Sequence, residues 1–228
     1  MLVREHMTPD PITVTADLSI VEAAALMKEK KVRRFPVMRG DEMIGIITDR
    51  DLRSAAPSDV VSFDAEERQL MPELHALLAN MKIKDVMSRR VITVGPDQTV
   101  VAAAQVMLQH RISGAPVTDS RGKLLGIITQ TDIFKILVDA SGYASGKTTF
   151  AFHLEDVAGS IKQVADVIRG NGGSLAGILT SYALAEPGFR RVYIRIRDLP
   201  GEKLRVLEQE LRKQFQVLYV AQDDATAS

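Results

Sequence analysis

The sequence predicts an α+β protein in which a β-α-β-β-α unit occurs twice in tandem and is followed by a different unit of order β-α-β-β-α-β. Three observations predict it. A long stretch of the chain matches another without a gap, the same capping and hairpin signals recur in both copies, and beyond Lys147 the pattern changes.

Composition bounds what such a chain can do. With 228 residues, 46% of them hydrophobic, it has material for one large domain or two modest ones. Its 29 basic and 29 acidic side chains cancel, so no global field gathers nucleic acid or an anionic membrane surface. The absence of cysteine excludes disulfides, thiolate metal sites and cysteine nucleophiles together. The opening "MLVREHMTPDP" lacks the apolar core of a secretory signal, and no apolar run approaches the roughly 18–20 residues of a membrane span. A cytoplasmic location is the expectation.

The repeat begins at Met7 and again at Met87. Ile12-Thr13-Val14 falls on Ile92-Thr93-Val94, Ala23-Ala24 on Ala103-Ala104, and Pro36-Val37 on Pro116-Val117. After one extra residue in the second turn, Gly45-Ile46-Ile47-Thr48 falls on Gly126-Ile127-Ile128-Thr129, and Asp51 on Asp132. In each copy a short strand, Ile12 to Val14 in the first, leads to a helix. Ser19-x-x-Glu22 has the form of a capping box, and Ala23, Ala24 and Met27 recur at helical spacing. Two strands follow, Pro36 to Met38 and Met43 to Ile47, joined at Arg39-Gly40-Asp41, and a second helix starts near Thr48. Neither copy carries enough apolar surface for a separate core, so the two sheets are expected to pack together and leave clefts between them.

Between the copies a helix is expected with Leu74, Leu77, Leu78 and Met81 on one face and Pro72 near its start, as a connector or oligomer contact. Past Lys147 a strand (Thr148 to Leu154), a helix (Gly159 to Arg169), two strands (about Leu175 to Tyr182 and Arg190 to Arg197), a helix carrying Leu204, Leu207, Leu211 and Phe215, and a strand (Val217 to Val220) are expected. That order is ferredoxin-like. The expected division is repeat 1 over 1–60, a helical connector over 61–82, repeat 2 over 83–140, a linker over 141–147, the last domain over 148–222 and a tail over 223–228.

The linker contains "GYASGKTT", which resembles a phosphate-binding P-loop. A P-loop needs four residues between its first glycine and Gly-Lys-Ser/Thr, and it follows a strand and opens a helix. Here three residues intervene, and the segment follows a helix and enters a strand. Spacing and setting both fail, and a small-residue linker is the better reading.

The strongest chemical candidate is the pair "GIITDRD" and "GIITQTD". Thr48 with Asp51, and Thr129 with Asp132, present a hydroxyl, helix-start N–H groups and a carboxylate on one small surface. Such a surface suits a nucleotide, with phosphate at the N–H groups and ribose at the carboxylate. Thr-x-x-Asp is also a plain capping box, and both readings stand at this point. No catalytic constellation emerges. His6, His75, His110 and His153 lie singly with no metal-ligand spacing, and "GGSLA" falls short of a nucleophile elbow. In "RRVYIRIR" Val192, Ile194 and Ile196 alternate with Tyr193, Arg195 and Arg197, an ordinary polar sheet face in preference to an RNA-binding one.

The repeated unit, with Ile-Thr-Val, x-Pro-Val and Gly-Ile-Ile-Thr-x-x-Asp, resembles a tandem pair of CBS domains, the Bateman module. The C-terminal "FHLEDVAGSIKQVADVI" with its β-α-β-β-α-β order resembles an ACT domain. The combination is similar to the acetoin-utilisation AcuB group, and acetoin metabolism enters only through that group's name. The CBS resemblance implies AMP, ADP, ATP or S-adenosylmethionine as a regulatory ligand in the clefts, with no catalytic cofactor and no metal. It places Asp51 and Asp132 at the ribose, Thr48 and Thr129 at the ribose-phosphate, Thr8 and Ser88 beside the base, and Thr13 and Thr93 on the strand lining it. It also points to Arg33-Arg34 and Ser113-Gly114 as pocket residues, the arginines gripping phosphate or serving as a solvated cation pair. The ACT resemblance implies an amino acid bound near Asp156 and Gly159, or an assembly surface, commonly in a homodimer. The expectation is therefore a non-catalytic sensor without nucleic-acid or membrane partners, the alternatives being a structural oligomerisation module and an enzyme using Lys147.

Overall fold

A computed structural model describes residues 1–55, 78 and 80–223, which form two compact units, Met1–Ile133 and Phe134–Ser228. The connector positions Pro72, Leu74 and Leu77, as well as His75 and residues 224–228, lie outside the described residues.

In the first unit the capping signals work as the side chains dictate. Glu22 Oε2 accepts from the Ser19 N–H at 2.9 Å, the Ser19 hydroxyl accepts from the Glu22 N–H at 3.2 Å, and the helix Ile20–Lys30 follows. In the second copy Thr99 caps the helix Val100–His110 by accepting from the Ala102 N–H at 3.1 Å. Both helices end on a left-handed residue, Lys31 at φ 54° and Arg111 at φ 53°. The hairpins are β3 (Arg34–Arg39) with β4 (Glu42–Thr48), and β5 (Gly114–Thr118) with β6 (Leu124–Thr129). The expected first strand is displaced. Instead of Ile12 to Val14, the chain forms β1 (Thr8–Pro9) and, after a turn, β2 (Val14–Thr15). The turn holds Asp10 at φ 45° and Pro11, which has no N–H to give a ladder.

That turn exists because the two copies exchange their leading segments. β1 pairs antiparallel with β6 of the other copy, Thr8 opposite Ile127 and Pro9 opposite Gly126, so one sheet runs β1-β6-β5. The equivalent segment of the second copy crosses back. Ser88 exchanges two hydrogen bonds of 3.0 Å with Ile46, on the outer side of the sheet β2-β3-β4. The short helices ahead of these segments dock in the same crossed fashion, Val3–His6 against residues 96–98 and Ile83–Val86 against residues 16–18. Surface pairs Arg4–Asp97 (2.6 Å) and Lys84–Asp17 (2.7 Å) occupy matching places. Apolar burial supplies the main driving force. Val3 and Ile83 are fully buried, and Leu78, Ile83, Val86 and Met87 complete the core of the first copy with Phe35, Val37 and Ile47. Burying one such side chain contributes about 1.5–3 kcal/mol, whereas an exposed ion pair contributes about 0–1 kcal/mol.

The second unit contains β7 (Thr148–Glu155), the helix Ser160–Gly170, β8 (Leu175–Ser181), β9 (Phe189–Ile196), the helix Gly201–Gln214 and β10 (Gln216–Gln222). Its antiparallel sheet runs β10-β7-β9-β8, consistent with the ferredoxin-like order expected. Alternation sends Phe150, Phe152, Val192, Ile194 and Ile196 inward against Val164, Ile168, Leu207 and Leu211. The "GYASGKTT" segment precedes β7 as a 3₁₀ turn at Tyr143–Ser145. It is held to this sheet, since Arg195 donates to the Gly146 carbonyl at 2.8 Å and sits 5.1 Å from the Tyr143 ring centre. Lys147, the residue a P-loop would aim at phosphate, instead faces Asp198 at 3.6 Å.

Glycine within the second strand of each hairpin permits the exchange. A Cβ on Gly126 would lie 2.8 Å from the Thr8 carbonyl oxygen and 2.6 Å from Met7 Sδ, and one on Gly45 would lie 3.1 Å from the Ser88 carbonyl and 2.6 Å from Met87 Sδ. Gly126→Ala is therefore expected to destabilise the first unit by about 1–3 kcal/mol by pushing β1 off β6. Gly201→Ala, with open space around it, is expected to change stability by less than about 1 kcal/mol. Denaturant melts of the two variants check the contrast.

Candidate functional site: two clefts across the repeats

The exchange decides which residues meet. Because β1 lies on β6, Thr8 and Ile12 of the first copy join Thr129 and Asp132 of the second around a cleft of about 500 Å3. Because Ser88 lies on Ile46, Ser88 and Ile92 join Thr48 and Asp51 around a second cleft of about 570 Å3. Both volumes lie in the range that small-molecule sites occupy. Arg33, Arg34 and Ser113 line both clefts, and Gly114 lines the second.

Each Thr–Asp pair closes as a cap. Asp51 Oδ2 accepts from the Thr48 N–H at 2.8 Å and from the Thr48 hydroxyl at 2.7 Å, while Thr48 Oγ1 accepts from the Asp51 N–H at 3.3 Å. Thr129 and Asp132 repeat the three distances. The capping reading of the motif is thus realised in both copies. It occupies one carboxylate oxygen. Oδ1 accepts no hydrogen bond among the described residues and remains available to a diol, since an ionised carboxylate is an acceptor at both oxygens. The Thr48, Asp51, Thr129 and Asp132 N–H groups are engaged within the caps, and the Asp49 and Gln130 N–H groups donate to the Arg33 and Ser113 carbonyls.

Positive charge comes from arginine instead. Arg34 Nη2 donates to Ser113 Oγ at 2.8 Å across the repeats, and its guanidinium fills the space Gly114 leaves, since a Cβ there would lie 1.7 Å from Arg34 Nη1. The two copies differ where they face each other, and the difference is complementary. Burial lowers the Arg34 pKa from its ordinary value, Asp49 and Asp132 oppose the shift, and the group stays cationic.

Of the residues expected at the base, Thr8 and Ser88 line the clefts, while Thr13 and Thr93 line neither and are exposed. Val14 and Val94 turn into the core, whereas Ile12 and Ile92, in the irregular segments ahead of them, face the clefts. Lys31, Arg50, Arg53, Arg90, Arg111 and His110 line a cleft without having been singled out from sequence. Comparing the copies position by position would have found Arg90, which stands where the first copy has Asp10.

In the second unit Asp156 pairs with Arg190 Nη1 at 3.2 Å, and Arg190 Nη2 donates to Ser160 Oγ at 3.0 Å. Gly159, at φ 88°, begins the helix, so Asp156 does not cap it. His153 stacks on Phe189 with ring centres 4.5 Å apart, and among the described residues no His, Asp and Glu cluster suits a metal ion. No helix among the described residues is long and apolar enough to cross a membrane.

Comparison with known proteins agrees with the duplicated architecture. The CBS domain family model matches twice, at residues 3–58 and 83–139. A CBS domain-containing protein of Dictyostelium discoideum is 31% identical over 139 residues, which span 60% of this chain and 92% of that protein. The CBS domain of a CBS domain-containing membrane protein from Sphaerobacter thermophilus is 27% identical, with a TM-score of 0.50, covering 59% of this chain and 86% of that one. CBSX2, solved in complex with AMP, is 26% identical with a TM-score of 0.48, covering 60% of this chain and 96% of that one. The family model matched in both copies and the relative covered almost throughout give one conclusion: the chain belongs to the CBS domain family, with a tandem pair of CBS domains over residues 3–58 and 83–139.

Proposed function

We propose that the protein is a non-catalytic sensor whose CBS pair binds an adenosyl ligand, AMP, ADP, ATP or S-adenosylmethionine, in the two clefts. The observation that carries this reading is the duplicated arrangement itself. Each cleft combines an aspartate with a spare carboxylate oxygen, a hydroxyl residue from the other copy, an isoleucine and shared arginines. A diol suits the carboxylate, an apolar ring suits the isoleucine, and an anionic tail suits the arginines. Every ligand so placed touches both copies. Its binding free energy then depends on how the copies are arranged, which is the requirement for a switch.

In this reading the second unit is an ACT domain that takes a small effector such as an amino acid near Asp156 and Gly159, or serves assembly, as in the AcuB group. The β-α-β-β-α-β order and the strand order β10-β7-β9-β8 support it. A cytoplasmic homodimer is the corresponding assembly. Sedimentation is expected to give about twice the 25.0 kDa chain mass; a monomer at micromolar concentration contradicts the dimer.

Calorimetric titration of nucleotide-stripped protein tests the ligand. Saturable binding is expected, and Asp51→Ala and Asp132→Ala are each expected to weaken one site by about tenfold or more, the cost of losing a charge-assisted hydrogen bond. Each variant also loses a capping side chain, an expected cost of about 0.5–2 kcal/mol, so thermal melts must show both folded at the titration temperature. Absence of binding to all four ligands favours the structural oligomerisation module, with the Thr-x-x-Asp motifs acting as helix caps alone.

A further inference from the structure

The two clefts come from one duplicated unit, so corresponding positions can be compared as if each cleft were a variant of the other. Thr8 corresponds to Ser88, Ile12 to Ile92, Thr129 to Thr48 and Asp132 to Asp51, and these pairs are chemically alike. Lys31 and Arg111, both at left-handed helix ends, are alike in charge. The remaining differences are mostly of one kind. Asp10 in the Asp132 cleft becomes Arg90 in the Asp51 cleft, a reversal of charge at one position, and Thr131 becomes Arg50. Gln130 becomes Asp49, but Asp49 is paired with Arg53 at 2.9 Å, which also lines the Asp51 cleft.

Among the described residues the Asp51 cleft is consequently lined by six arginines against two aspartates, and the Asp132 cleft by three basic side chains against two aspartates. Of the six, only Arg53 has an ion-pair partner among the described residues; Arg33 and Arg34 line both clefts, and Arg50, Arg90 and Arg111, all exposed, line this one alone. Unpaired guanidinium groups facing one cavity from three separate segments suit a ligand with several anionic oxygens, because each forks onto phosphate with charge-assisted hydrogen bonds. Asp10 in the other cleft repels such a ligand.

We infer that the Asp51 cleft is a nucleoside polyphosphate site, with Arg90 and Arg50 as its specificity-determining residues, and that the Asp132 cleft takes an adenosyl ligand of low negative charge. This deepens the proposed function and rests on it. It also distinguishes two clefts that the Thr-x-x-Asp motifs alone present as equivalent.

Titration of AMP and of ATP, without Mg2+, into single-site proteins tests it. In Asp132→Ala, where the Asp51 cleft remains, ATP is expected to bind about tenfold or more tighter than AMP. In Asp51→Ala that advantage is expected to be absent. Adding Arg90→Ala or Arg50→Ala to the Asp132→Ala protein is expected to weaken ATP binding several-fold more than AMP binding, and raising the salt concentration is expected to reduce the ATP advantage as well. Arg121→Ala, at the exposed β5–β6 turn, serves as the charge-matched control and is expected to change neither. Equal affinity for AMP and ATP in Asp132→Ala, or an ATP advantage that survives in Asp51→Ala, overturns the inference while leaving the adenosyl reading intact. Failure of the unsubstituted protein to bind ATP overturns the inference, and only failure to bind ADP, AMP and S-adenosylmethionine as well removes the adenosyl reading.

Discussion

The backbone pairing of each leading segment with the hairpin of the other copy is the constraint on which the first unit depends. Two contacts define it, Thr8 opposite Ile127 and Ser88 opposite Ile46. Without them Val3 and Ile83 leave the core, the outer strand of each sheet is missing, and neither cleft has its second wall. The glycine of the Gly-Ile-Ile-Thr motif has its physical reason here, because no side chain fits between the hairpin and the crossing backbone. Gly126 thereby determines whether Thr8 and Asp132 can line one cleft.

Exchange also explains how a duplicated unit supports unlike sites. Since each cleft draws on both copies, a substitution in one copy alters the two clefts in different roles. Arg34 illustrates this: it projects from the first copy into space that Gly114 leaves in the second, and lines both clefts from that place. An arginine at both positions would set two guanidinium groups against each other in partly buried surroundings, at a desolvation cost that one guanidinium with a serine partner avoids. Asymmetry at the centre is therefore favoured by electrostatics, and the Asp10–Arg90 difference extends it outward.

Much of this was legible in the chain because it rests on local chemistry. Ser19-x-x-Glu22 and the turn at Gly40, which sits at φ 59°, act within a few residues, and both formed as read. In β9 the period-two pattern assigned Val192, Ile194 and Ile196 to the core, and all three are fully buried. What the sequence did not disclose is long-range. Nothing local marks Thr8 as a partner of Ile127, so the first strand was expected too late and in the wrong role. Thr13 and Thr93 were placed by resemblance, but both are exposed in irregular segments and line neither cleft. Arg33 and Arg34 were named as pocket residues, but Arg50, Arg53, Arg90 and Arg111 were missed because isolated basic residues on a neutral chain carry no signal until folding gathers them.

Photoaffinity labelling with 8-azidoadenosine nucleotides, followed by peptide mapping, addresses the cross-repeat assembly most directly. In the proposed reading, which puts Thr8 and Ser88 beside the base, label is expected on residues 8–12 and on residues 88–92. The crossed pairing predicts that Asp132→Ala removes the label on 8–12 and spares that on 88–92, and that Asp51→Ala does the reverse. Label on 8–12 that depends on Asp51, within the same copy, would contradict it.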